Sequence, residues 1–127
     1  MKLHHIALKS SDIEKTLAFY TAIGMRHVAE WGEGTGRTVM LDIGDGTRLE
    51  IFANGGDEFP PRGKWLHLAL ASDDVDASYA AALAAGATAL TPPKTVDIPA
   101  AKPAPMSIRI AFVKGPDGEE VEFFRVV

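Results

Sequence analysis

The chain has 127 residues, a formal net charge of -4 at pH 7, 46% hydrophobic residues and no cysteine. This length suits one domain, the acidic balance excludes a basic surface for nucleic acid, and the lack of cysteine excludes disulfides and thiolate metal sites. No apolar run approaches the ~20 residues of a membrane-spanning helix. The first residues lack the apolar segment of a secretory signal, so we expect a cytoplasmic protein without membrane contacts.

The first half of the chain predicts a strand, a helix and three further strands. Residues 2–9 alternate well enough for a half-buried strand. Ser11 and Glu14 have the spacing of a capping box, which predicts a helix that continues towards Gly24. Three strands separated by glycine-rich turns are then predicted at 25–30, 38–43 and 47–53.

The second half predicts the same order of elements. A strand over 65–71 leads into an alanine-rich helix over 74–85, which ends at Gly86. The segment KGPDG is a strong turn signal before the last strand. The three remaining strands are predicted at 88–90, 107–113 and 120–126. The chain therefore has the pattern of an α+β fold with βαβββ written twice.

Two pairs of similar segments support this duplication. HIALKSSDIEK begins at His5 and HLALASDDVDA at His67, whereas DGTRLEIF begins at Asp45 and DGEEVEFF at Asp117. Two matches in the same order indicate a duplicated module with one change of length between the matches. We expect a single domain with modules at 1–54 and 65–127 and a linker at 55–64.

Residues 91–106 break the repeat and hold five of the eight prolines. They stand where the first module has a short glycine-rich turn. A loop of this length in a compact domain is either mobile or a lid over a site. An exposed connector stiffened by proline is an equal alternative.

Four polar residues recur at equivalent positions in the two modules. Side chains alternate between the faces of a strand, and the leucine face of 65–71 must pack on the helices. His67 therefore faces away from the helices, and the same alternation applies to His5, Glu50 and Glu122. If that face curls into a trough, two imidazoles and two carboxylates converge there, which suits a divalent metal ion.

Four other residues have more open roles. Phe52 and Phe124 lie two residues beyond the glutamates on the same face, so they are either apolar walls of the trough or ordinary core residues. His4 and His27 have no repeated counterpart. We place His4 on the helix side and interpret both histidines as structural or exposed.

The sequence resembles the vicinal oxygen chelate superfamily, which includes glyoxalase I, bleomycin-resistance proteins and extradiol dioxygenases. The resemblance covers essentially the whole chain and rests on HIALKSSDIEKTLAFY, HLALA and AFVKGPDGEEVEFF. It implies a curved, U-shaped mixed sheet around a metal, with the helices on the outside. It also implies a homodimer, in which the site lies within one chain or is shared between subunits.

The four repeated residues are similar to the ligand set of short bacterial glyoxalase I. The resemblance implies one divalent ion (Ni, Zn, Co, Mn or Fe), held by His5, Glu50, His67 and Glu122. Glu122 would then be the catalytic base, with Glu50 as the second acid/base partner. Asn54 and Lys9 fall on positions that hold glutathione, although Lys9 stands in place of an arginine and lacks its bidentate fork.

The activity implied by this resemblance is isomerisation of a 2-oxoaldehyde hemithioacetal, such as a glutathione conjugate, through a metal-stabilised enediolate. One alternative is another metal-dependent enzyme of the superfamily: an epimerase, a dioxygenase or a thiol transferase. The other is a metal-free protein that binds small molecules or drugs and confers resistance. The second glutamate argues against a dioxygenase, and the intact set of four ligands argues against a metal-free protein.

Overall fold

A computed structural model describes residues 1–22, 25–58, 63–115 and 120–127. In these ranges the first module comprises β1 (Lys2–Lys9), α1 (Ile13–Ala22), β2 (Arg26–Trp31), β3 (Thr38–Asp42) and β4 (Arg48–Phe52). The second module comprises β5 (Trp65–Ala71), α2 (Val75–Ala84), β6 (Thr88–Ile98), β7 (Met106–Lys114) and β8 (Glu120–Val126). No helix in the described part of the chain is long and apolar enough to cross a membrane.

All the described strands belong to one sheet with the order β2-β3-β4-β1-β5-β8-β7-β6. Within each module the first and last strands are parallel, as in the pairs β1–β4 and β5–β8. The two modules join through the antiparallel pair β1–β5. The predicted α+β fold with a curved mixed sheet is thereby confirmed, and β4, β1, β5 and β8 are its four central strands.

Each helix begins at an aspartate that caps a free backbone amide. Asp12 Oδ1 accepts a hydrogen bond of 3.1 Å from the amide of Lys15. Asp74 Oδ1 accepts the equivalent bond of 2.9 Å from the amide of Ala77. The predicted capping box of Ser11 and Glu14 is wrong, because α1 begins at Ile13 and the Asp12 side chain caps it at the Lys15 amide. The predicted end of the first helix at Gly24 lies outside the described residues.

The helices cover the outer face of the sheet unevenly. Under α1 the core consists of Val39, Leu41, Leu49 and Ile51, and under α2 it consists of Val75, Ala111, Val113 and Phe123. Between the helices, the outer face of the central strands is less protected, and Leu68 is 39% exposed. The inner face of the same strands is fully buried at Ala7 and Ala69. The deepest part of the central sheet is therefore the face without helices.

The proline-rich segment differs from its prediction. β6 continues to Ile98 and β7 begins at Met106, so the predicted short strand at 88–90 and loop at 91–106 are wrong. Pro92 and Pro93 fit here because β6 is an edge strand, where a missing amide need not break a ladder hydrogen bond. Shifts in the pairing register around these prolines accommodate them.

The remaining loop, 99–105, crosses to the opposite end of the sheet. The backbone of Lys102 exchanges hydrogen bonds of 2.7 and 3.0 Å with Glu30 of β2, and Ala101 is buried. This contact joins the β6–β7 hairpin to the far edge strand and closes the curled sheet on itself.

Two predictions fall partly outside the described residues. The turn KGPDG includes residues 116–118, and the linker predicted at 55–64 includes 59–62. In the part of the linker that the structure describes, Lys64 Nζ donates hydrogen bonds of 2.7 Å to the carbonyl oxygens of Gly55 and Gly56.

Candidate metal centre

Each central strand places one polar side chain on the inner face of the sheet. These side chains, which we call the quartet, are His5 on β1, Glu50 on β4, His67 on β5 and Glu122 on β8. His5 is 1% exposed and the other three are between 4% and 9% exposed. Since charged and polar groups at this depth are costly unless they are paired, their positions need a compensating interaction.

Two alanines leave the space in which the quartet meets. Ala7 pairs with Glu50 on one side and with His67 on the other. Ala69, its equivalent in the second module, pairs with His5 on one side and with Glu122 on the other. Because both alanine side chains are short and fully buried, the four longer side chains can converge above them.

The end atoms of the quartet lie close together. His5 Nε2 is 2.8 Å from His67 Nε2, 3.1 Å from Glu50 Oε2 and 2.8 Å from Glu122 Oε2. His67 Nε2 is 3.5 Å from Glu50 Oε2 and 3.1 Å from Glu122 Oε2. Ligand atoms held about 2.1 Å from one tetrahedral or octahedral ion lie about 3.0–3.4 Å from each other. The observed spacing therefore suits a single small cation.

One oxygen of the quartet has no hydrogen bond. Glu122 Oε2 is buried, and no described residue donates a well-aligned hydrogen bond to it, although Nε2 of His5 and His67 lie 2.8 and 3.1 Å away. A buried carboxylate oxygen without a donor is unfavourable, and a cation among the four side chains would satisfy it. With neutral imidazoles the quartet carries two negative charges, which a divalent ion balances. His5, Glu50 and His67 therefore form a group that could hold such an ion, and Glu122 Oε2 lies within 3.1 Å of both histidines.

In the absence of an ion, the quartet favours bound protons. Burial disfavours the charged form of His67, but the carboxylates of Glu122 and Glu50 outweigh burial and raise its pKa to about 9. The pKa of His5 is raised by the same balance. Burial would raise the pKa of Glu50, but hydrogen bonds from the two histidines lower it to about 2. A metal ion at this position must therefore displace protons from the imidazoles.

Aromatic rings surround the histidine pair. Phe124 meets His5 edge-on with ring centroids 5.2 Å apart, and Phe112 meets His67 edge-on at 5.3 Å. The Phe52 ring is 6.5 Å from that of His67. Both phenylalanines named from the sequence thus lie beside the quartet. Phe112 was missed, because its position depends on the register between β7 and β8.

Lys9 and Asn54 lie near the ends of strands that carry the quartet. Lys9 is half-buried at the end of β1 and pairs with Phe52 in the parallel register. Asn54 is exposed just after β4. Within the described residues, no hydrogen bond or ion pair joins either side chain to the quartet, so their roles stay predictions.

His4 lines a groove with residues of α2, on the helix side as predicted, but its contact with His5 was not predicted. The register between β1 and β5 shifts between Leu3 and His5, which makes His4 the extra residue of a β-bulge. Its Nδ1 atom lies 2.8 Å from Nδ1 of His5, and its ring centroid lies 3.9 Å from that of Phe124. The signal in the sequence was the histidine doublet, since His67 has no histidine before it.

Comparisons with known proteins agree with this fold. Residues 2–123 match a family model described as the Glyoxalase/Bleomycin resistance protein/Dioxygenase superfamily. The Bacillus subtilis protein YwbC is 29% identical over 98% of this chain and 97% of its own length. A hypothetical protein from Bacillus halodurans has a TM-score of 0.71 at 18% identity, over 97% of this chain and 92% of that one. Methylmalonyl-CoA epimerase from Mycobacterium tuberculosis has a TM-score of 0.65 at 21% identity, over 97% and 86%.

Proposed function

Because the chain belongs to the Glyoxalase/Bleomycin resistance protein/Dioxygenase superfamily, we propose that it is a metal-dependent isomerase of the glyoxalase I type. Its substrate would be the hemithioacetal of a 2-oxoaldehyde and a thiol, and its product a 2-hydroxyacyl thioester. The observation that carries this proposal is that Nε2 of His5 and His67 lie 2.8 Å apart, and that each lies 2.8–3.5 Å from a carboxylate oxygen of both glutamates.

The proposed ligands of the ion are His5, Glu50, His67 and Glu122. A divalent ion held by them supplies a Lewis acid that stabilises negative charge on two adjacent oxygen atoms of the substrate. The two alanines beneath the quartet give its side chains room to adjust when substrate binds.

Glu122 is the proposed base. A carboxylate that leaves the ion regains its basicity while it stays close to the substrate, so Glu122 would take the proton from the carbon that bears sulfur. A proton is then returned to the neighbouring carbon. That carbon, formerly the carbonyl carbon, carries the new hydroxyl group, and the sulfur-bearing carbon becomes the thioester carbonyl. Glu50 is the proposed second acid/base partner.

The aromatic residues Phe52, Phe112 and Phe124 offer an apolar surface beside the histidines. Such a surface excludes water from the proton transfers and suits the carbon chain of the oxoaldehyde. Lys9 and Asn54 are the proposed contacts of a glutathione moiety. The ammonium group of Lys9 would pair with a carboxylate of the tripeptide.

The quartet is complete within one chain, because β1 pairs with β5 of the same chain. A homodimer, which the resemblance implies, is part of the proposal for the assembly. Its partner subunit would not be needed to supply a ligand to the ion.

Metal content and turnover test this proposal together. Metal-free protein is reloaded with Ni, Zn, Co, Mn or Fe, bound metal is measured by elemental analysis, and isomerisation of the hemithioacetal of methylglyoxal and glutathione is assayed. We expect one tightly bound ion per chain, and turnover with at least one of these metals. His27→Ala is the matched control, since it removes a 46% exposed imidazole that pairs with Glu30 instead of the quartet.

Two outcomes would reject the proposed activity. Stoichiometric metal without turnover would favour another metal-dependent reaction, and the first to assay is epimerisation of a coenzyme A thioester. A chain that binds no ion under any of these conditions would favour the metal-free, ligand-binding alternative.

A further inference from the structure

The contact between His4 and His5 requires an irregularity in β1. Neighbouring residues of a regular strand point to opposite faces. The β-bulge at His4 changes this alternation, so that the Nδ1 atoms of the two imidazoles approach to 2.8 Å. Phe124 contacts both rings, with centroids 3.9 Å from His4 and 5.2 Å from His5, and holds them in this arrangement.

The direction of this hydrogen bond follows from the other side of the His5 ring. A bond between two imidazole nitrogens needs a proton on one and a lone pair on the other. His5 directs Nε2 at the quartet, and this nitrogen needs its lone pair to bind an ion. A neutral His5 must then carry its proton on Nδ1. His4 Nδ1 is therefore the acceptor.

We propose that His4 is a positioning residue of the metal centre: it accepts the Nδ1–H of His5 and so fixes the tautomer and ring orientation that present Nε2 to the ion. This inference rests on the proposed metal site. Ligand histidines generally donate their second ring nitrogen to a neighbouring acceptor, and loss of that acceptor weakens metal binding. In this chain the acceptor is the residue next to the ligand in sequence, which only a bulged strand allows.

The second module has no equivalent of this device. Leu66 occupies the position before His67, where His4 stands before His5. The histidine pair is therefore a feature of the first module alone and is not part of the duplicated segments. Leu66→Ala supplies a matched control at the equivalent position.

His4 can be replaced without opening the core. It is half-buried and borders a groove of about 1000 Å³ between α2 and the ends of β1 and β8. His4→Leu removes the acceptor but keeps an apolar side chain against Phe124. His4→Asn retains an acceptor, because the asparagine Oδ1 atom takes the approximate place of the histidine Nδ1 atom.

Metal affinity is the first readout, measured by competition with a chelator and by the absorption spectrum of the Co(II) protein. We expect His4→Leu to bind Co(II) and Zn about 10–100-fold more weakly than the native chain and to alter the Co(II) spectrum. His4→Asn should return to within about threefold of native affinity, by the same reasoning. His27→Leu and Leu66→Ala should leave affinity and spectrum unchanged.

The second readout is the tautomer of His5 in the zinc-loaded protein. Long-range nitrogen–proton NMR correlations should show His5 with its proton on Nδ1 hydrogen-bonded in the native chain, and should show this proton without its acceptor in His4→Leu. Native affinity in His4→Leu, or a folded His4→Asn that binds as weakly as His4→Leu, would overturn the role of His4 alone. A native chain that binds no metal would overturn this inference together with the proposed function.

Discussion

The two modules of the chain repeat the same hydrogen bonds where each first strand turns into its helix. Ser10 Oγ lies 2.6 Å from Thr16 Oγ1 in the first module, and Ser72 Oγ lies 2.7 Å from Ser78 Oγ in the second. The Ser10 amide donates to the carbonyl of Phe52 at 2.8 Å, and the Ser72 amide donates to that of Phe124 at 3.0 Å. Each module therefore fixes its histidine strand against its glutamate strand in the same way.

Each helix also makes an ion pair with an arginine of the β-hairpin region that follows it. Arg37 pairs with Glu14 of α1 in the first module. Arg109 binds Asp76 of α2 through two hydrogen bonds of 2.7 and 2.6 Å in the second module. Glu14 and Asp76 occupy equivalent positions in the two similar segments that begin at His5 and His67.

The modules differ in the hairpin that follows the helix. Six residues connect β2 and β3, whereas β6 and β7 form a longer hairpin whose loop reaches β2. The helices differ too, since α1 has no fully buried residue and α2 buries Val75. The comparison indicates that duplication built the symmetric quartet, while changes in single copies, the long hairpin and His4, adapted its surroundings.

The largest expected difference between equivalent residues concerns the two glutamates. We expect Glu122→Gln to lower kcat about 10³-fold and Glu50→Gln about 10²-fold, because Glu122 is the proposed base and Glu50 its acid/base partner. Both variants are assayed at saturating metal, with occupancy checked by elemental analysis. A larger loss in Glu50→Gln would assign the base to the first module instead.

The next largest effect is the pH dependence of metal binding. Since the pKa of His67 is about 9 in the metal-free protein, protons compete with metal below that pH. We expect affinity to rise about tenfold per pH unit for each displaced proton between about pH 6 and 8, measured by chelator competition. A flat profile would mean that neither histidine binds the ion.

The same raised pKa affects the stability of the metal-free chain. A raised folded-state pKa stabilises the fold fully below the unfolded value of 6.5 and loses this contribution as pH rises to about 9. We therefore expect the free energy of unfolding of the metal-free protein to fall across this window, relative to His67→Phe. Urea titrations at fixed ionic strength measure the difference.

Substitution of Ala7 and Ala69, which lie beneath the quartet, tests whether the two modules contribute equally to the space that the quartet occupies. Ala7→Leu and Ala69→Leu each place a large side chain in the space where the quartet meets. Each should weaken metal binding about tenfold and destabilise the fold by about 1–3 kcal/mol through overpacking. Chelator competition and urea unfolding measure both effects, with Ala80→Leu on the exposed side of α2 as control. An effect of only one of the two substitutions would contradict an equal contribution of Ala7 and Ala69.

The smallest expected effects concern the helix caps. Asp12→Ala and Asp74→Ala should each cost about 1 kcal/mol and agree within about 0.5 kcal/mol, since the two caps are equivalent. Urea unfolding gives both values. A cap that matters only in α2 would show that α1 contributes little to the cooperative fold.

Local pattern was sufficient for the element types, the duplicated module and the face of the quartet. Strand alternation assigned His5, Glu50, His67 and Glu122 to the side without helices, because side-chain direction in a regular strand depends only on the backbone repeat. The same reasoning failed at the cap of α1 and in β6. There, Asp12 took the role expected of Ser11, and an edge position made a strand with two prolines possible.

Three features were decided by the tertiary structure. Pairing of β1 with β5 of the same chain completes the quartet without a partner subunit. The bulge turns His4 to His5, and loop 99–105 meets the opposite edge of the sheet. Each depends on a contact between segments that are distant in sequence. For the paired strands, a shift of the register by one residue would turn the side chains to the other face. Residue periodicity reports how a segment alternates, but the partner strand determines where that alternation is interrupted and which side chains finally meet.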